Sequence, residues 1–200
     1  FRIMIYDYHW STSTAGALAP LAWAEDVLTF ASSVVDPALI WLGAPFYGYD
    51  WVGSSGEAVT WTEAMARLAA NGATLQWQNA DGSGHVKEPW FSYGAHQVWF
   101  HNGLATRHRL RLADAYDIAG LAFWRLGNED PAAWGWIATW RTSYALGDLT
   151  GDGVTDIVDV QTVAAHWGET LAQPVFDRWY DVDGDGDVTL LDVSAVAAQW

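Results

Sequence analysis

The chain has 200 residues, 24 acidic against 9 basic side chains, no cysteine and 51% hydrophobic residues, which suits one or two globular domains and excludes disordered, collagen-like and disulfide-stapled chains. A formal charge of −15 without any basic cluster excludes nucleic acid and anionic membrane as partners, because both require Lys and Arg to displace counterions. Fifteen tryptophans, twelve of them in the first 146 residues, exceed what a core uses and put some indoles on a binding surface.

Phe1 to Tyr8 reads as a strand, and Phe1 stands inside that run, so the chain is expected to be the C-terminal piece of something longer. Pro20 to Val34 has helical spacing ended by Pro37, and Leu39 to Pro45 is an apolar buried strand. Thr60-x-x-Glu63 is a capping box for a helix that stops at Asn71-Gly72. Short strands follow at Thr74 to Gln78, Trp90 to Tyr93 and Gln97 to Phe100, with Asp81-Gly82 as a turn. A helix from about Leu104 to Tyr116, a buried strand from Gly120 to Leu126 and a helix from Pro131 to Trp140 complete the series. Strands alternating with helices predict an α/β fold of parallel units, interrupted by a small α+β insertion at about residues 56–101. Glu129-Asp130 belongs to the loop before the Pro131 helix, where acidic groups favour the helix N-terminus. His9, His85, His96, His101 and His108 show no metal spacing and read as surface or loop residues, and Arg107-His-Arg-Leu-Arg111 reads as a solvated face. No run reaches the ~18 apolar residues of a membrane span, and no leader peptide is visible.

From Gly147 to Trp200 there are eleven Asp/Glu and one Arg, a balance of −10, which separates a second module from the larger one near Leu146. Asp148 to Asp159 repeats as Asp181 to Asp192 at an offset of 33, and Val163-Ala-Ala-His-Trp167 repeats as Val196-Ala-Ala-Gln-Trp200. Each copy reads as a calcium loop with oxygen donors at positions 1, 3, 5, 9 and 12 and a glycine, Gly153 or Gly186, at the sharp turn. The first set is Asp148, Thr150, Asp152, Asp156 and Asp159 with the Val154 carbonyl; the second is Asp181, Asp183, Asp185, Thr189 and Asp192 with the Asp187 carbonyl. Carboxylates crowded in this way repel unless a divalent cation neutralises them, so folding and Ca²⁺ binding should be coupled. Hard oxygen donors without Cys or His favour calcium over zinc or copper.

Aspartate at position 12, with an apparent helix only after each loop, resembles the duplicated module of type I dockerins over about residues 146–200. That resemblance implies an all-α, paired EF-hand-like domain and a cohesin partner. Ile157-Val158 and Leu190-Leu191 stand at the family's recognition positions, where a Ser-Thr pair is frequent, and these apolar residues equally suit packing of the two helices together.

In a barrel of parallel strands, chemistry sits at the strands' C-terminal ends. Tyr6-Asp7-Tyr8, Phe46-Tyr47-Gly-Tyr49-Asp50-Trp51 and Phe123-Trp124 fall there, and aromatic faces with a few carboxylates describe a carbohydrate cleft. Met4-Ile-Tyr6-Asp7, Leu42-Gly-Ala-Pro-Phe-Tyr-Gly-Tyr-Asp-Trp51 and Gly120-Leu-Ala-Phe-Trp124 resemble, in order, the sixth, seventh and eighth strand motifs of family-18 glycoside hydrolases. Val98-Trp-Phe100 and Trp124-Arg-Leu-Gly-Asn128 are similar to the bacterial branch acting on spore cortex and peptidoglycan. The resemblance implies that residues 1–145 are the C-terminal part of a (β/α)8 barrel.

It further implies a substrate-assisted retaining reaction on β-1,4-linked N-acetylglucosamine polymers, chitin or peptidoglycan, in which the substrate's acetamido oxygen attacks the anomeric carbon. Tyr6 would position the acetamido group, Asp7 would contact the substrate in the same subsite, Trp124 would form the floor, and Met4 and Tyr47 would line the cleft. Tyr49 stands where many relatives carry Arg. The family's general acid is the Glu of Asp-x-x-Asp-x-Asp-x-Glu, and that run is absent from these 200 residues. The segment alone is therefore expected to be inactive, with hydrolysis belonging to an intact, secreted or surface-bound bacterial protein. The alternatives are a glycan-binding pseudoenzyme, or a chain whose working part is the dockerin-like attachment module.

Overall fold

The computed structural model describes residues 1–78, 87–142, 147–150, 154–170, 173, 176, 179–183 and 185–200. The predicted Asp81-Gly82 turn, His85, Asp152 and Gly153 lie outside those residues.

Strand β1 (Arg2–Met4) pairs in parallel with β2 (Trp41–Pro45), and β2 pairs in parallel with β8 (Gly120–Trp124), with Leu42 opposite both Ile3 and Leu121. Helix α1 (Leu21–Val34) packs on this sheet because Leu21, Ala24, Leu28 and Ala31 recur at three- and four-residue spacing on one face. They join Ile5, Ile40, Leu42, Leu112, Ala113 and Ile118 in one buried cluster. The strand expected to run to Tyr8 ends at Met4, because its ladder to β2 stops at the Met4–Gly43 pair and Asp7 turns the chain at φ 60°.

Between β2 and β8 lies a five-stranded antiparallel sheet of order β4-β3-β7-β6-β5, built from β3 (Gly48–Val52), β4 (Ser55–Val59), β5 (Gln76–Gln78), β6 (Glu88–Tyr93) and β7 (His96–Phe100). The β3–β4 hairpin is absent from the predicted elements. As an inner strand flanked by β4 and β7, β3 buries residues of both faces, so the alternation that marks a half-exposed strand is missing. Helix α2 (Trp61–Ala70) begins at the expected capping box, with Thr60 Oγ accepting from Glu63 N–H at 3.1 Å and the Glu63 carboxylate accepting from Thr60 N–H at 2.7 Å. Its apolar face covers Val59, Phe91, Val98 and Phe100.

Helix α3 (Gly103–Ala115) corrects the solvated-face reading of residues 107–111. Arg109 is 1% exposed, and His108 and Arg111 are buried as well. Arg109 meets Glu88 of β6 at 3.0 Å and donates to the carbonyls of Ala19 and Ala105, while Glu88 also accepts from Ala19 N–H. A buried charge persists only when paired, and this pair ties the inserted sheet to the barrel helices. His101 is likewise buried rather than at the surface, and burial drives its imidazole pKa well down, so it is neutral. Helix α4 (Ala132–Thr142) starts after Asp130, whose carboxylate accepts from Gly103 N–H and Ala132 N–H and so serves the N-termini of both α3 and α4.

In the tail, α5 (Ile157–Ala164) and α6 (Leu190–Ala197) each begin with a capping box, Asp156 with Asp159 and Thr189 with Asp192. Leu149, Val163, Phe176, Val188 and Val196 form its core. Ile157, Val158, Leu190 and Leu191 are 44%, 48%, 59% and 62% exposed, so they do not pack the helices together. The chain is thus a mixed α/β protein with a three-stranded parallel sheet and a five-stranded antiparallel one.

Candidate active site

The three parallel strands deliver their C-terminal ends to one side, as parallel registry requires. Tyr6 and Asp7 follow β1, Tyr47 follows β2, and Trp124 ends β8. Together with Met4, Tyr49 and Ala58 they line a cleft of about 400 Å³. Of the strand-end residues expected at the cleft, Tyr6, Asp7, Tyr47, Tyr49 and Trp124 line it with Met4, whereas Tyr8, Phe46, Asp50, Trp51 and Phe123 do not, and Phe46, Asp50 and Trp51 are buried in the packing behind the strands. Tyr49 enters it on β3, and Ala58 enters because β4 pairs with β3 at Tyr49–Ala58. Ala58 had no signal in the sequence, since its place depends on a hairpin register.

Asp7 Oδ1 accepts a short hydrogen bond from the Tyr47 hydroxyl and a longer one, 3.4 Å, from Tyr49. Burial, reinforced by the neighbouring Asp7, pushes the hydroxyl pKa of Tyr47 upward, and the same causes raise those of Tyr6 and Tyr49. All three phenols are therefore donors at neutral pH, grouped around one carboxylate. Tyr6 meets Tyr47 edge-to-face at 6.3 Å, and Tyr47 meets Tyr49 likewise at 5.6 Å. The Trp124 indole is 59% exposed. Behind it Phe123 stacks on Phe46 at 4.1 Å, and the Trp124 carbonyl accepts from Phe46 N–H at 2.6 Å. A rigid, exposed aromatic face beside an acceptor carboxylate and phenol donors suits a ligand with apolar C–H faces and an N–H or hydroxyl to donate.

The tail's acidic loops form a separate group. Carboxylate oxygens of Asp181, Asp183 and Asp185 lie within 4.8 Å of one another, a donor set that fits a hard divalent cation. Asp156 and Thr189 spend a side-chain oxygen capping α5 and α6. The buried Asp192 accepts from Val182 N–H, Asp183 N–H and Thr189 N–H, and Asp159 accepts from Leu149, Thr150 and Asp156 N–H in the same pattern. These two aspartates close their loops, a task that the ligand pattern alone did not reveal. Asp148 is buried, with Thr150 Oγ donating to it at 3.4 Å, while Val154 is exposed.

Residues 1–129 match the sequence profile of glycosyl hydrolases family 18, and residues 146–199 match that of the dockerin type I domain. The chain is 29% identical over 141 residues to the uncharacterized glycosylase YvbX of Bacillus subtilis, covering 66% of this chain and 40% of that protein. It is 25% identical over 143 residues to the cortical fragment-lytic enzyme of the same species, covering 66% of this chain and 32% of that protein. The chain thus spans less than half the length of these curated relatives. Among solved structures, a chitinase from Chromobacterium violaceum superposes with a TM-score of 0.63 at 32% identity, over 70% of this chain and 44% of that one. With its profile match and its strand-end cleft in agreement, the chain belongs to glycosyl hydrolase family 18 and carries a type I dockerin domain behind that part.

Proposed function

We propose that the intact protein hydrolyses β-1,4-linked N-acetylglucosamine polymers, chitin or peptidoglycan, outside a bacterial cell, through a substrate-assisted retaining reaction. The observation that carries this reading is the convergence of Tyr6, Asp7, Tyr47 and Trp124 on one cleft at the C-terminal ends of three parallel strands. The names of the similar proteins, a cortical fragment-lytic enzyme and a chitinase, support the same substrate class.

In this reading the reacting sugar lies on Trp124, and Tyr6 and Asp7 hold its acetamido group. Asp7 accepts the amide N–H and Tyr6 donates to the carbonyl oxygen, which turns that oxygen toward the anomeric carbon. The oxygen forms a bond to this carbon as the glycosidic C–O bond breaks, and the leaving oxygen takes a proton from an acid that these 200 residues do not contain. Water then adds at the same carbon from the face the leaving group occupied, giving a proton back to the conjugate base of that acid as the oxygen–carbon bond to the acetamido group breaks, with retention. Tyr47 fixes Asp7, and an orienting hydrogen bond of this kind is worth most where water is excluded.

For the tail, the reading is a paired EF-hand-like module with two calcium sites, Asp148, Thr150, Asp152, Val154, Asp156 and Asp159 in one loop and Asp181, Asp183, Asp185, Asp187, Thr189 and Asp192 in the other. Calcium, when bound, neutralises the crowded carboxylates. The exposed pairs Ile157-Val158 and Leu190-Leu191 suit a cohesin with an apolar recognition face.

The test is turnover by the full-length protein on N-acetylglucosamine oligomers and on peptidoglycan strands, beside Asp7→Asn. Release of products with retained anomeric configuration is the expected result. Binding of these glycans without turnover would replace the enzyme by a glycan-binding protein.

A further inference from the structure

The tail does not stand away from the barrel. Arg107 and Arg111, one turn apart on α3, each reach a main-chain carbonyl at the start of one acidic loop. Arg107 Nη2 donates to the Leu149 carbonyl at 2.7 Å, and Arg111 Nη2 donates to the Asp181 carbonyl at 3.3 Å. Trp179 Nε1 donates to the same Leu149 carbonyl at 2.9 Å. The Arg107 guanidinium lies over the ring of Trp179 of the tail, at 3.7 Å, and over that of Trp136 of α4, at 4.7 Å, and those two indoles meet edge-to-face at 6.3 Å.

We infer that the dockerin module is clamped to the outer helices of the hydrolase part by Arg107, Arg111, Trp136 and Trp179, and that filling its loops with calcium strengthens this clamp. The calcium step rests on the reading of the tail given under Proposed function.

The physical argument has three parts. Both arginines bond main-chain carbonyls, those of Leu149 and Asp181, and the N–H of each of these planar peptide units, from Thr150 and Val182, donates to Asp159 or Asp192, so loop closure fixes the direction of the carbonyls. Crowded carboxylates oppose that closure until a cation neutralises them, so the surface that α3 grips depends on the metal. Two guanidinium groups also face a module whose net charge is −10 and which stays acidic after two Ca²⁺ bind, so attraction favours docking at modest ionic strength in both states and the strengthening by calcium comes from loop closure. Because coupling between two equilibria is reciprocal, the clamp raises calcium affinity by the factor by which calcium tightens the clamp. The apolar pairs at the starts of α5 and α6 stay exposed in the clamped arrangement, so an outside partner and the barrel do not compete for them.

Hydrogen exchange of the full-length protein with and without calcium, read in the peptides covering 103–115 and 132–142, tests this directly, with calorimetry recording calcium binding in the same samples. Calcium should slow exchange in both helices at least about fivefold, the lower end of ordinary coupling. Arg107→Ala with Arg111→Ala should keep the calcium heat, weaken calcium affinity by the same factor and lose the added protection. Arg107→Lys with Arg111→Lys keeps the charge but sheds the planar stacking contact, and guards against a variant that misfolds; it should lose most of the protection. Calcium heat with unchanged exchange in 103–115 and 132–142 would overturn the clamp and leave the calcium reading standing. Absence of calcium heat would overturn both.

Discussion

Asp7 holds φ at 60°, a left-handed backbone that few residues other than glycine adopt. That turn takes the chain out of β1 and brings its carboxylate to the Tyr47 hydroxyl. Such strain concentrates where a side chain must point into a site. Asp7→Asn in the full-length protein should lower kcat by about 10²- to 10³-fold, the usual loss for one positioned electrostatic group. Tyr47→Phe removes the shorter of the two phenol hydrogen bonds to Asp7 and should cost roughly tenfold, the scale of a hydrogen bond to a charged group. Steady-state kinetics on N-acetylglucosamine oligomers checks both, and an unchanged kcat in Asp7→Asn would remove it from the reaction. Asp50 is the residue-scale stability switch. Burial would raise its pKa, but hydrogen bonds from Tyr93, Arg67 and His96 outweigh burial and hold it below the ordinary value. A lowered carboxyl pKa adds stability that is complete above the unfolded value near ~3.9 and lost as pH falls through the folded value. Asp50→Asn should therefore lower the urea midpoint at pH 6 more than at pH 3.

At the scale of elements, the capping box at Thr60 starts its helix where the local pattern predicts, whereas Asp156 and Thr189, read from the sequence as calcium ligands, cap their helices as well. A fully buried contact between elements is that of Glu88 on β6 with Arg109 on α3. Removing one partner of a buried pair strands the other charge. Arg109→Met should cost about 3–5 kcal/mol in denaturant unfolding, and Glu88→Met added to it should recover much of that loss. If the double variant were as unstable as the single one, the pair would not be the source. Residues 107–111 misled the sequence reading for the same reason. Three arginines in five positions look solvated until β6 and the tail supply Glu88 and the carbonyls of Leu149 and Asp181. The β3–β4 hairpin escaped prediction because an inner strand loses its alternation, and with it went Ala58, which only the β3–β4 register carries to the cleft.

At the scale of the whole molecule, β1 and β8 each pair with β2 alone among the described strands, while the matched chitinase is more than twice as long as the aligned part. The 200-residue chain by itself should show no turnover on N-acetylglucosamine oligomers, since its sequence lacks the acid run; measurable product release from the purified chain would contradict this. Ile157→Asp with Leu190→Asp should abolish capture by a cohesin and leave calcium heat unchanged, because these side chains are exposed and outside the tail core. Loss of calcium binding instead would make them structural. The features readable without coordinates are those held by near neighbours in the chain: the 33-residue repeat, the Thr60 capping box and the three strand-end motifs. Local hydrogen bonding and periodic burial impose these wherever the chain is placed. The partners of Asp7, the burial of Arg109 and the grip of Arg107 on Leu149 depend on groups tens of residues away. A charge or carboxylate carries no mark of its distant partner, so these were decided only when packing brought the strands, the inserted sheet and the tail together.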